Sequence, residues 1–123
     1  MNWWMLAGGV MALICAAGHA VAGHRLFYRP IKADLLSELL AGVFTGTWHI
    51  ITIHFTLSAI ALVALGIRGL GHAVAWLVAA QFAGYAAVCV VMSLRLGGAL
   101  KLFQWLPFSA TAILSALGAI TAP

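Results

Sequence analysis

The sequence predicts an all-α membrane protein, a four-transmembrane-helix bundle with antiparallel up-down topology. Three observations carry this. Of the 123 residues, 65% are hydrophobic and 7% charged, whereas a soluble domain charges roughly a quarter of its residues to solvate its surface. The mean hydropathy is +1.13. The apolar residues also fall into four long runs, each at least the roughly 20 residues that a spanning helix needs. These runs are continuous rather than alternating, and far exceed the roughly ten residues of a barrel strand.

The expected spans are residues 3–23, 39–67, 73–94 and 102–122, one transmembrane domain that uses the whole of residues 1–123. The breaks each hold an Arg, and Gly69, Gly71, Gly97 and Gly98 mark tight turns. Arg25, Tyr28, Arg29, Pro30 and Lys32 suit an interfacial segment between spans one and two. Trp3 and Trp4 at one end, and Tyr28 and Trp105 at the other, suit aromatic belts. The first run lacks the basic flank of a signal peptide, so it reads as an uncleaved span.

The formal charge of +4 does not point to nucleic acid, because the basic residues sit at span ends rather than in a groove-binding cluster. Five of the six lie in the first and third connections, and Arg68 alone lies on the opposite side. The positive-inside rule then places those connections in the cytoplasm and both termini outside it.

A polar group in hydrocarbon must find a partner, so polar positions at helical spacing mark inward faces. In span two, Gly42, Thr45, His49, Thr52 and Thr56 make one stripe that includes a G-x-x-x-G pair, Gly42 and Gly46. Phe44, Trp48, Ile51 and Phe55 lie opposite, a bulky face suited to lipid, which turns His49 into the bundle. Span one offers Gly8, Ala12, Cys15, His19 and Gly23; span three offers Gln81, Tyr85 and Cys89; span four offers Gln104, Phe108, Thr111 and Ser115. The expected polar pocket, in the cytoplasmic half, is lined by Cys15, His19, His49, Cys89 and Gln104, with Thr45, Thr52, Thr56, Gln81 and Tyr85 on the same inward stripes. His24 and His54, each five residues beyond its neighbour and about 140° around an α-helix, fall on other faces.

Asp34 and Glu38 are confined to the first connection, so no span carries the carboxylate that cation-coupled pumps commonly use. There is no C-x-x-C, G-x-x-x-x-G-K or H-E-x-x-H. Imidazole and thiolate do suit haem iron and soft metals. His19 and His49 are the candidates for haem b, and Cys15 and Cys89 could add to a site for a soft transition metal. The competing reading, which leads, needs no cofactor: such side chains bond neighbouring helices, at roughly 0.6–2 kcal/mol each.

The strings Gly18-His19 to Gly23-His24-Arg25 and Thr47-Trp48-His49-Ile50-Ile51-Thr52 resemble small bacterial integral membrane proteins with G-H-x-x-x-G and W-H-x-x-T segments. The resemblance covers about the first half of the chain. It implies a location in the bacterial inner membrane and draws attention to His19 and His49; it implies no activity.

Three functions are weighed. The leading one is a non-enzymatic accessory or interaction module, its partners being the bilayer and either another membrane protein or further copies of itself. The alternative is a haem- or metal-binding electron-transfer or sensor protein. The third is an oligomeric channel or carrier lined by the Thr45–His49–Thr52 stripe.

Overall fold

The computed structural model describes residues 1–34, 37–98 and 102–122, the side chains of 32–34 excepted. They form a helical bundle, with no strand among the described residues. The first rod is α1 (Trp3–Ala17), a π-helical stretch (Gly18–Tyr28) and the short α2 (Arg29–Asp34); α3 (Glu38–Arg68), α4 (His72–Arg95) and α5 (Trp105–Thr121) follow. Three rods, Trp3–Ile31, Glu38–Arg68 and His72–Arg95, are long and apolar enough to cross a membrane.

Two boundaries differ from expectation. The first rod stays helical beyond His24-Arg25 to Asp34, because no glycine interrupts residues 24–34. The fourth run opens with turns at residues 102–104 and becomes helix only at Trp105. Pro107 explains this: its ring clashes with a preceding carbonyl unless it stands in a first turn, so α5 cannot begin much earlier. At 17 residues α5 is about 26 Å long. The turn between α3 and α4 is as the glycines imply, with Gly69 at φ 70° and Gly71 at φ 91° in the left-handed region.

α1 packs between α3 and α5, and α5 packs on α4. Much of the buried set is small, Ala12, Ala16, Ala59, Ala75, Ala79, Ala86 and Ala119 joined by Ser58, Ser93, Thr111 and Ser115, packed around a few large side chains, Met5, Phe55, Leu62 and Phe82. Large aliphatic side chains such as Val10, Leu39, Ile60 and Ile113 face outward. A water-soluble bundle would reverse this, whereas helices in lipid associate through small residues that let backbones approach. α3 and α4 make little backbone contact, because rings stand between them: Phe55 meets Phe82 at 5.5 Å and Tyr85 at 5.8 Å between centroids.

The end that carries both termini is the tightest. Gly9 lies against Val63 and the Ala59 carbonyl, Gly66 against Met5 and Leu6, and Gly118 against the Met5 backbone. Asn2 braces this end. Its Oδ1 caps α1 by accepting from the Met5 N–H at 3.1 Å, and its Nδ2 donates to the Gly118 carbonyl of α5 at 2.8 Å. Its own N–H donates to the Gly66 carbonyl of α3 at 2.7 Å. One buried residue, through side chain and backbone, thus joins three helices.

Candidate binding pocket at the π-helical end

The opposite end of the bundle is built from rings. Through residues 18–28 the backbone bonds to the fifth residue back, as in the Arg29 N–H to the His24 carbonyl. That spacing widens the helix, so residues five apart stand about 50° apart around it rather than about 140°. Gly18 and Gly23 therefore share a face, as do His19 and His24. Gly23 admits the Trp48 ring, whose atoms would lie 3.1 Å from an added Cβ, while Gly18 faces open space.

His19 is half-buried. Its ring stacks on Trp48 with centroids 4.0 Å apart and meets Phe55 edge-on at 5.7 Å. Its Nε2 lies 3.2 Å from the Trp48 carbonyl oxygen. A carbonyl only accepts, so Nε2 carries the hydrogen and Nδ1 keeps a free lone pair. His24 stacks on Tyr28 at 4.7 Å, and Tyr28 stacks on Phe44 at 5.5 Å. The face expected for His24 was set by α-helical geometry; the π-helical stretch turns it onto the same ring cluster. The Thr45 hydroxyl donates to the Ala41 carbonyl at 2.7 Å, which leaves Tyr28 as donor in the 2.8 Å bond between their hydroxyls.

Between the π-helical stretch, α3 and α5 lies a cavity of about 340 Å³. Cys15, His19 and Gln104 contribute its polar groups, and Trp48, Phe55, Phe103 and Phe108 much of the remaining wall. The Cys15 thiol sits 3.8 Å from the Thr111 hydroxyl, which itself donates to the Pro107 carbonyl at 2.9 Å, so the thiol is the donor. Gln104 Oε1 is buried without a hydrogen-bond partner.

The structure thus gathers Cys15, His19 and Gln104 of the expected pocket, and leaves out His49 and Cys89. The seams expected on spans one and four face inward: Gly8, Ala12, Cys15, Thr111 and Ser115 are buried. Span two is turned part of the way round, with Thr45, Thr52 and Thr56 half-buried. Phe55, expected toward lipid, is 4% exposed and central to the core, while His49 lies exposed on the outer side of α3. The reason is local. Thr45, Thr52 and Thr56 each donate to the carbonyl four residues back, at 2.7–3.1 Å, so these hydroxyls are satisfied within their own helix. The large rings then fill the space between rods. Gly42 and Gly46 also touch no other helix.

Gln81, Tyr85 and Cys89 are half-buried on α4. Tyr85 meets His54 edge-on at 6.0 Å and Phe108 at 5.8 Å, next to the pocket rather than in its wall. His54 Nε2 is buried without a hydrogen-bond partner. His19 and His49 diverge: Trp48, against which His19 stacks, is only about 100° around α3 from His49, yet His49 is on the exposed side. His49 does not line the cavity that holds His19. Among the described residues no three His, Cys, Asp or Glu side chains gather to hold a metal.

Sequence reasoning missed Asn2 and the π-helical stretch. Asn immediately before an apolar run is a helix-start signal, and the Gly18–Gly23 pair has the five-residue spacing of a π turn. Compared with known proteins, the chain matches no family model, no curated protein and no solved structure.

Proposed function

We propose that the protein is a non-enzymatic module of the bacterial inner membrane that works by binding another transmembrane helix along α3. In this reading all four rods cross the bilayer, with both termini outside the cytoplasm and the π-helical end in its cytoplasmic half. At 17 residues, α5 reaches the lower limit for a span.

The observation that carries the docking role is the outer face of α3. Gly42, Gly46 and His49 lie there uncovered, and Gly42 and Gly46 have no neighbour within 4 Å of an added Cβ. An imidazole left against acyl chains is costly, and two small residues four apart allow a second helix to come close enough to relieve it.

Photocrosslinking in native membranes tests this. A photoreactive residue at Val43 or Ile53, both exposed beside the seam, should yield a discrete protein adduct. The same residue at Leu77 or Val88, exposed on α4, should yield none. The adduct mass tells a partner from a second copy. His49→Leu should remove the adduct and His49→Gln, which keeps a hydrogen-bonding head, should retain it. Adducts with lipid alone at all four positions overturn the reading.

A further inference from the structure

We propose that the cavity between the π-helical stretch, α3 and α5 is a binding site for a membrane-dissolved amphiphile with a hydroxylated aromatic ring at its head. This goes beyond helix docking, which uses another face of α3.

Size is the first argument. Protein interiors are packed like organic crystals, and an apolar cavity of about 150 Å³ already takes up a benzene. The present cavity, about 340 Å³, has room for a ring and part of a chain, and falls in the range of small-molecule sites, roughly 300–1,000 Å³. Its shape is held by glycine. An added Cβ at Gly18, which lines the cavity, meets nothing within 4 Å, and Gly23 lets Trp48 close the wall.

Chemistry is the second. Gln104 Oε1 is buried with no partner, and a buried acceptor left unmade costs about 1–3 kcal/mol. The His19 Nε2–H is directed to the Trp48 carbonyl at 3.2 Å, which leaves Nδ1 as an acceptor. The Cys15 hydrogen is used on Thr111. Gln104 and Trp48 also bring N–H groups to the wall, so a hydroxyl, which donates and accepts at once, suits the site. Phe55, Phe103, Phe108 and Trp48 supply faces and edges that favour an aromatic ring. Exposed Leu26, Phe27 and Phe103 at the rim suit a hydrocarbon tail that leaves into lipid. Hydroxyl groups on a ring with an alkyl chain meet all three demands.

Equilibrium dialysis of protein-loaded against empty lipid nanodiscs tests the site, with 4-hexylresorcinol, hexylbenzene and 1-decanol as probes. The resorcinol should bind above the lipid background at one per chain, about tenfold tighter than hexylbenzene, which brings no donor, and tighter than the unringed alcohol. Gly18→Leu should fill the cavity and remove this binding, whereas Gly84→Leu, on open surface of α4, should leave it unchanged; helix content by circular dichroism verifies that both variants fold. Gln104→Leu should weaken the resorcinol about tenfold and hexylbenzene little. Equal uptake of resorcinol and hexylbenzene, or full binding by a folded Gly18→Leu protein, overturns the proposal. Equal binding of the alcohol overturns the assignment of a ring.

Discussion

The two ends of the bundle are assembled by opposite means. At the end bearing the termini, glycines at 9, 66 and 118 let α1 meet α3 and α5 backbone to backbone, and Asn2 links all three. At the π-helical end a widened helix and a cluster of rings hold the rods apart around a cavity of about 340 Å³. The same chain thus joins a closed end with little tolerance to an open end with spare volume. Close approach in lipid depends on the absence of side chains; room for a ligand depends on rings too large to interdigitate.

The comparison predicts where substitutions act. The largest effect belongs to Gly118→Val, whose added Cβ would lie 2.6 Å from Met5 Cγ and 3.0 Å from the Met5 nitrogen. It should cost about 3 kcal/mol in reversible unfolding in mixed micelles, and a loss below about 1 kcal/mol would break the picture of a closed end. Asn2→Ala should cost about 2 kcal/mol, since it removes a helix cap and the bond to the Gly118 carbonyl at 2.8 Å. Asn2→Asp should recover the cap but not the bridge, and lie between the two. At the open end the sign reverses: Gly18→Ala should stabilise by about 0.5 kcal/mol, because its Cβ enters empty space and alanine restricts the unfolded chain. Smallest of all, Thr52→Val should change monomer stability by less than about 0.5 kcal/mol, since only a 3.1 Å bond to the Trp48 carbonyl of its own helix is lost. A large loss there would show that the Thr stripe contributes to the bundle interior.

The rods and most of their breaks were legible because long apolar runs and left-handed glycines have few alternatives. The seams of spans one and four were legible for a related reason: Cys15, Thr111 and Ser115 have small neighbours at helical spacing, and small residues go where helices touch. Span two was misread because a hydroxyl was treated as a group in need of another helix. Thr45, Thr52 and Thr56 spend their hydrogens on their own backbone and stay half-buried, with Thr45 alone accepting from another rod, at Tyr28, so the stripe does not set the facing that Phe55 does. His49 lies exposed at the outer edge of that stripe, with Gly42 and Gly46. Cys89 stays half-buried on the face of α4 that carries Phe82, but two turns away from it, and does not line the cavity. The approach of His24 to the ring cluster could not follow from 3.6-residue periodicity, since the π-helical stretch replaces that period.

The packing, with alanine, glycine and a few rings within and much of the leucine and isoleucine without, has a consequence for temperature. In a bilayer, separating these rods uncovers little oily area to water, and such exposure is what gives unfolding its large heat-capacity increment. The stability of the bundle in lipid should therefore fall almost linearly on heating, without the dome typical of soluble domains, and cooling toward freezing should not loosen it.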